Sequence, residues 1–150
     1  MRAVLQRVSA ARVDIGGCME AEISSGILVF AGFSGDDTDA DLDYVADKIM
    51  VLRIFGDDEG RMNRSLVDVQ GELLVVSQFT LYGDARKGRR PSYSDAMEPG
   101  KALVFYEKFV QACRERIPGV RCGVFGADMQ VSLVNDGPVT LLVDSSRLFC

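Results

Sequence analysis

The sequence predicts an α+β fold in which mostly antiparallel strands form barrel-like or two-layer sheets that pack against two main helices. Short apolar or alternating runs recur along the chain and are separated by turn residues, as expected for strands. Two longer segments instead repeat their apolar residues every three or four positions, which is the spacing of an amphipathic helix. The predicted order is β-β-β-β-α-β-α-β-β-β, and the length suits a single domain over residues 1–150.

Four strands are predicted in the first third of the chain. Residues Arg2 to Ser9 alternate apolar and polar side chains, which is typical of a strand with one partly polar face. The segments Ala11 to Ile15 and Cys18 to Ile23 flank Gly16-Gly17, a pair that favours a tight hairpin turn. Gly26 to Phe33 is almost continuously apolar and predicts a central strand buried on both faces.

A helix is predicted from Asp36 to Arg53, where the period of the apolar residues changes. Thr38 followed by Asp41 resembles a capping box at its start. The acidic residues there alternate as in a calcium loop. However, the sixth and twelfth positions are Leu42 and Lys48 instead of glycine and glutamate, which excludes that motif.

The second half of the chain continues the alternation of strands and helix. Glu72 to Phe79 predicts another buried strand, and a loop from Tyr82 to Glu98 follows it. Pro99 suits the first turn of a second helix, which Pro118-Gly119 ends. Its core-facing residues are predicted to be Ala102, Leu103, Tyr106, Phe109, Val110 and Cys113. The last three predicted strands are Val120 to Phe125, Met129 to Asn135 and Val139 to Asp144.

The composition excludes several classes of protein. No apolar run approaches the roughly 18–20 residues that span a bilayer, and no secretory segment is recognisable, so we expect a cytoplasmic protein. The cysteines are scattered, and without histidine a zinc site would need all of them; we expect reduced thiols and no metal. The four cysteines are Cys18, Cys113, Cys122 and Cys150.

The charge of the chain restricts its nucleic-acid partners. A net charge of −5 argues against broad nonspecific binding to nucleic acid, and we expect no DNA partner. A local basic cluster, Arg86-Lys87-Gly88-Arg89-Arg90, is the exception. It is either a solvated surface loop or a set of contacts to tRNA phosphates, because a local patch can supply such contacts on an acidic protein.

Two short segments carry the chemistry. Ser77-Gln78-Phe79-Thr80 ends the most apolar predicted strand, and Asn135-Asp136-Gly137-Pro138-Val139-Thr140 lies between two others. The chain has no histidine, so a histidine-based triad is excluded. What remains is a site that positions its substrate and aims backbone donors at a developing oxyanion, which suits an activated ester with a vicinal hydroxyl. Taken alone, Asp136 to Pro138 is also an ordinary hairpin turn.

Both segments resemble the signature motifs of the D-aminoacyl-tRNA deacylases, also called D-tyrosyl-tRNA deacylases. The similarity extends over essentially the whole chain, with several shorter matches in the right order. These are Leu5-Gln6-Arg7-Val8, Arg53-Ile54-Phe55, Met62-Asn63, Arg90-Pro91-Ser92 and Ala127-Asp128-Met129-Gln130-Val131.

The resemblance implies an enzyme that hydrolyses the ester bond of D-aminoacyl-tRNA and of glycyl-tRNA as a chirality check in translation. It also implies a homodimer with active sites at the subunit interface and no cofactor. Gly137-Pro138 would be cis and would project from one subunit into the pocket of the other. An L side chain would collide with its carbonyls, whereas a D side chain would point outward.

The resemblance also assigns roles to individual residues. The backbone amides of Phe79 and Thr80 would form an oxyanion hole, and the 2′-hydroxyl of the terminal adenosine would assist the attack more than a protein nucleophile. Ser77 and Gln78 would shape the adenosine pocket. Arg7 and Met129 would support the Gly-Pro corner. The candidate phosphate contacts, Arg86, Lys87, Arg89 and Arg90, come from the basic cluster and not from the resemblance.

Two alternatives remain at this stage. One is a noncatalytic tRNA-binding module that uses the basic residues Arg86 to Arg90 and loses binding steadily with salt. The other is a related deacylase relaxed toward a small L-amino acid, which would follow if Gly137-Pro138 were trans.

Overall fold

The computed structural model describes residues 1–148 and contains a curved sheet with two α-helices. In chain order the strands of the main sheet are β1 Arg2–Ile15, β2 Cys18–Ile23, β3 Gly26–Gly32, β6 Glu72–Ser77, β7 Val120–Cys122 and β8 Gln130–Asp144. The short strands β4 Phe55–Gly56 and β5 Met62–Arg64 pair with each other. The helices are α1 Asp39–Val51 and α2 Pro99–Arg116, and one 3-10 turn spans Phe79–Tyr82.

The main sheet has six strands and is organised around β1. Its strand order is β2-β1-β3-β6-β7, and β8 pairs with β1. The first half of β1 pairs with β3 and the second half with β2, while β8 pairs with β1 over most of its length. Because β2 also contacts β6 and β7, the sheet curls into a nearly closed barrel. The predicted α+β class with barrel-like sheets and two helices is confirmed.

The pairing of the strands follows from the connections between them. The pairs β1–β2, β1–β3 and β1–β8 are antiparallel, whereas β3–β6 and β6–β7 are parallel. A parallel neighbour needs a crossover, and the segments before β6 and β7 contain α1 and α2 respectively. The two helices therefore create the parallel part of a sheet that is otherwise antiparallel.

Two pairs of predicted strands are single strands in the structure. The first two merge into β1, because the residues between them stay extended and are merely exposed. The last two merge into β8, because both halves pair with β1. The prediction of separate strands on the two sides of Gly137-Pro138 was therefore wrong.

The core has two parts, one on each face of the sheet. The larger part lies between the sheet and the helices and includes Ile27 and Val29 of β3. The smaller part lies inside the barrel and includes Leu28 of the same strand, together with Leu74 of β6. Alternate residues of a strand point to opposite faces, so the continuous apolar runs of β3 and β6 serve both parts. This confirms the prediction of strands buried on both faces.

Both helices begin at polar caps. The Asp41 carboxylate of α1 accepts the backbone N–H of Thr38 at 2.8 Å and its hydroxyl at 2.7 Å, so the predicted cap is present. The Glu98 carboxylate caps α2 by accepting the N–H groups of Gly100 and Lys101 at 2.9 and 3.0 Å. These caps satisfy amide groups that have no partner within the helix.

The prediction that Leu103 belongs to the core-facing side of α2 was wrong. Leu103 is 39% exposed, and Phe105 is buried instead. Leu103 follows Ala102 by one position and is therefore rotated about 100° away from the stripe that Ala102, Phe105 and Phe109 form.

The next observations concern the helices, the thiols and the acidic side chains. Neither of the two helices is long and apolar enough to cross a membrane. Cys18, Cys113 and Cys122 are free, and burial raises the pKa of the Cys113 thiol to about 12. Cys150 lies outside the described residues. Within residues 1–148, no group of cysteine and acidic side chains could hold a metal ion.

Candidate functional site

An open cleft of about 620 Å³ lies beside the end of β6 and the start of α2. Its volume is in the usual range of small-molecule sites, roughly 300–1,000 Å³. Most of its lining is apolar, and Phe33, Met97, Phe125 and Met129 contribute large side chains. Its polar side chains include Ser77, Gln78 and Glu98, all near the end of β6 or the start of α2.

The Ser77–Thr80 segment forms the lip of this cleft. The backbone N–H of Gln78 donates to the Ala31 carbonyl at 2.7 Å, and the 3-10 turn begins at the next residue. Phe79 and Thr80 are the first residues of this turn, where amide groups have no helical partner. Their backbone N–H groups donate to no protein acceptor within residues 1–148. Two adjacent amide donors are therefore available at the lip.

Among the described residues that line the cleft, Glu98 alone carries a carboxylate. The Thr80 hydroxyl accepts a hydrogen bond from the Gln78 side chain. The carboxylate in the cleft lining is that of Glu98, and its bonds to the Gly100 and Lys101 amides lower its pKa. It is therefore ionised and occupied as a helix cap. The site can bind and orient a substrate and stabilise an oxyanion, whereas its lining carboxylate is engaged as a helix cap and is a weak base for activating a threonine nucleophile.

Gly137-Pro138 lies in a bulge of β8. Gln6 of β1 pairs with Thr140 and Val8 pairs with Asn135, so four residues of β8, 136–139, lie opposite the single residue Arg7. The Gly137–Pro138 peptide bond is cis, and both residues are exposed. Neither lines the cleft of its own chain.

Arg7 supports this bulge from β1. Its Nε donates to the Asp136 carbonyl at 3.0 Å, and its Nη1 donates to the carbonyl of Ile54. The same guanidinium lies 3.2 Å from the Asp136 carboxylate. A Cβ built on Gly137 would be only 2.7 Å from Arg7 Nη2, so the guanidinium lies directly against the glycine.

Met129 does not lie beside the bulge of its own chain, unlike Arg7. It lines the cleft, and its sulfur lies 2.6 Å from where a Cβ on Gly123 would be. The structure thus brings Met129 together with Ser77, Gln78 and Phe79, and it brings Arg7 together with Gly137 and Pro138. Thr80 follows the cleft residues directly but is not part of the lining.

The basic cluster lies in the exposed loop between the 3-10 turn and α2. Arg86 is bound by both carboxylate oxygens of Asp84 at 2.8 Å, which lowers the pKa of Asp84 to about 2. Lys87, Arg89 and Arg90 form no ion pair with any residue of 1–148. Their charges are therefore available to a phosphate backbone.

Some residues of the site were missed by the sequence analysis. Phe125, Glu98 and Tyr93 line the cleft, and the Tyr93 ring packs edge-to-face on Phe79 with centroids 5.1 Å apart. Pro99 marked the start of a helix, but nothing in the sequence indicated that this start borders a cleft. Phe125 was interpreted as a strand residue, although β7 ends at Cys122.

The buried Tyr106 hydroxyl connects α2 to the sheet. It lies 3.0 Å from the Val75 carbonyl and 2.9 Å from the Gly123 carbonyl, so it ties α2 to β6 and to the segment after β7. We predict that Tyr106→Phe lowers the free energy of unfolding by about 1–3 kcal/mol, because the two buried carbonyls lose the single O–H proton that they share. Denaturant unfolding measures this. Tyr44→Phe, at a half-buried position of α1, is the matched control, and an equal loss there would contradict the argument.

The sequence has clear relatives. Residues 4–144 match the family model described as D-Tyr-tRNA(Tyr) deacylase. The chain is 57% identical over 149 residues to the D-aminoacyl-tRNA deacylase of Thermosipho africanus, which covers 99% of this chain and all of that protein. It is 52% identical over 149 residues to the D-aminoacyl-tRNA deacylase of Clostridium kluyveri, with the same coverage.

Solved structures share the fold. A c-Myc DNA Unwinding Element Binding Protein superposes with a TM-score of 0.92 at 41% identity, covering 96% of this chain and 98% of the other. A probable eukaryotic D-amino acid tRNA deacylase superposes with a TM-score of 0.83 and covers 95% of this chain and 98% of the other. At 19% identity this second likeness concerns the fold alone.

The fold and the relatives together define a hydrolase that acts on the ester bond of an aminoacyl-tRNA. The chain belongs to the D-Tyr-tRNA(Tyr) deacylase family. Family membership favours the enzymatic hypothesis over the noncatalytic tRNA-binding module.

Proposed function

We propose that this enzyme removes D-amino acids and glycine from tRNA and leaves L-aminoacyl-tRNA intact, as a proofreading step of translation in the cytoplasm. It acts as a homodimer in which Gly137-Pro138 of each subunit enters the cleft of the other. The observation that carries this proposal is the position of the bulge. It is exposed and braced by Arg7, yet it does not line the cleft of its own chain.

The distance between cleft and bulge within one chain supports an arrangement between subunits. Met129 lines the cleft, and Gly137 follows it by eight residues of extended strand, which span about 26 Å at 3.3 Å per residue. In residues 1–148, β8 pairs only with β1 and leaves its other edge open. Val134 and Leu142 of this strand are 59% and 55% exposed. A second copy of the chain would cover this edge.

Chirality would be checked by exclusion. The carbonyls of the Gly-Pro bulge would face the α-carbon of the bound amino acid, where an L side chain collides and a D side chain points away. Glycine has no side chain, so the same geometry cannot reject it. Arg7 makes this exclusion effective, because a bulge that could move aside would not discriminate.

Hydrolysis would depend on backbone groups and on the substrate itself. The amides of Phe79 and Thr80 would donate to the developing oxyanion, and the 2′-hydroxyl of the terminal adenosine would assist the attack. Ser77 and Gln78 would contact the adenosine. The helix-capping role of Glu98 supports this assignment, because a carboxylate that accepts two backbone N–H groups and has a lowered pKa is a weak base.

The body of the tRNA would be held by the basic loop. Lys87, Arg89 and Arg90, with a smaller contribution from the paired Arg86, would contact phosphates. Such contacts weaken with salt, and each neutralised phosphate adds to the slope of log K against log[salt].

The test measures hydrolysis of D-tyrosyl-tRNA, L-tyrosyl-tRNA, L-alanyl-tRNA and glycyl-tRNA by the purified protein. We expect rapid hydrolysis of the D and glycyl esters and no acceleration for the L esters. Equal rates for the D and L esters would remove the stereochemical proposal. Preferential hydrolysis of a small L-aminoacyl ester would favour the relaxed deacylase, and no hydrolysis of any ester would favour a binding module.

A further inference from the structure

The bulge of β8 is closed at its base by the side chain of Asn135. Its Oδ1 accepts the backbone N–H of Val139 at 2.8 Å. Its Nδ2 lies 3.0 Å from the Thr140 hydroxyl and 3.3 Å from the Val139 carbonyl. The Thr140 hydroxyl also accepts from Gln6 Nε2 at 3.3 Å, which connects this group to β1.

These bonds replace the strand pairing that the bulge loses. Residues 136–139 have no cross-strand partner among the described residues, and Pro138 has no N–H to donate. Val139 is therefore the first residue after the proline with an amide group to satisfy, and Asn135 Oδ1 satisfies it. Arg7 binds the start of the bulge at Asp136, whereas Asn135 binds its end. Gly137 and Pro138 lie between the residues that Arg7 and Asn135 bind.

We infer that Asn135 is a positioning residue for the chirality check. It acts through Val139 and Thr140 and sets the direction of the Gly137 and Pro138 carbonyls. This inference rests on the proposed function, which assigns the check to those carbonyls. Asn135 is half-buried and its three bonds stay within its own strand, so it orients the bulge without contacting the substrate itself.

The test measures single-turnover hydrolysis of D-tyrosyl-tRNA and L-tyrosyl-tRNA by Asn135→Ala. We expect the D rate to fall by about 10²-fold, because a displacement of about 1 Å near the reacting atoms has effects of that size. The preference for the D ester should shrink, while KM stays close to that of the wild type. Ser132→Ala, at an exposed position of the same strand, is the matched control and should keep rate and preference.

Two further variants separate positioning from general stability. Thr140→Val removes the hydroxyl that accepts a hydrogen bond from the Asn135 side-chain amide. It should lower the rate of D-tyrosyl-tRNA hydrolysis by about 2- to 10-fold, the effect of a single hydrogen bond. Asn135→Asp keeps the oxygen that accepts the Val139 N–H but loses the N–H that donates to Thr140. The Val139 amide should therefore stay protected from hydrogen exchange, while the rate of D-tyrosyl-tRNA hydrolysis falls. If Asn135→Ala fails to fold, these two variants carry the test.

The outcomes distinguish this inference from the proposed function. Wild-type rate and preference in folded Asn135→Ala would overturn the inference and leave the proposed function standing. Equal D and L rates in the wild type would instead contradict the proposed function. In that case the rate of hydrogen exchange at the Val139 amide tests whether Asn135 positions the bulge. Faster exchange in Asn135→Ala supports it, and unchanged exchange overturns it.

Discussion

Gly137→Ala is expected to lower the rate of D-aminoacyl-tRNA hydrolysis by about 10²-fold and to reduce the preference for D over L esters. The glycine has φ +126°, in the region that L residues rarely adopt. An added Cβ would lie 2.7 Å from Arg7 Nη2 and 2.9 Å from Val139 Cγ2. The Arg7 guanidinium or the bulge must therefore shift, and either change disturbs the support that sets the direction of the carbonyls. Single-turnover kinetics with both esters measures the effect.

Gly16→Ala is the control that separates backbone strain from position. Gly16 also has a positive φ, +58°, but a Cβ there would have open space around it, in the turn between β1 and β2. Both variants should lose about 1–2 kcal/mol of unfolding free energy through strain, yet only Gly137→Ala should lose activity. Equal activities of the two variants would show that the bulge is not part of the site.

The elements of the fold were predictable where local pattern determines them. The periodic apolar residues and the capping groups Thr38 and Asp41 define α1, and the Gly16-Gly17 pair defines the β1–β2 turn. The length of β8 was not predictable in this way. Gly137-Pro138 interrupts the local pattern of a strand, but β1 continues past it and pairs with both sides. Long-range pairing thus overrides a strong local turn signal.

The site was predictable only as two motifs. The first motif lies at the cleft because β6 ends there, and the second lies away from the cleft because β8 runs from the cleft to the bulge. Sequence alone could not predict that Met129 lies in the cleft while Arg7 lies at the bulge of the same chain, because these positions depend on the register of β8 against β1. Nor could it predict that the Tyr106 hydroxyl contacts the Val75 and Gly123 carbonyls, because the helical spacing of Tyr106 marks it only as a core residue. Asn135 belongs to a recognised motif, but its role depends on the bulge.

Phe79→Pro is expected to lower the rate of D-aminoacyl-tRNA hydrolysis by about 10²–10³-fold relative to Phe79→Ala, because proline lacks the amide that donates to the oxyanion. Proline is tolerated at the first position of a helical turn, and Gln78 before it lies outside the α region, with φ −148° and ψ 85°. The alanine variant accounts for the loss of the ring. Thr80→Ala should keep measurable activity, because its amide remains. Equal rates for Phe79→Pro and Phe79→Ala would exclude this amide from catalysis.

Mixing these two damaged chains tests whether the bulge acts between subunits. In a hybrid dimer, the intact cleft of Gly137→Ala would meet the intact bulge of Phe79→Pro, and the other site would carry both defects. Random pairing of equal amounts would then restore about a quarter of the wild-type sites, as expected for a symmetric dimer with two interfacial sites. A bulge that acted on its own chain would restore none, because each chain would keep its own defect. Activity of the co-expressed mixture, compared with that of each variant alone, therefore decides which chain supplies the Gly-Pro bulge.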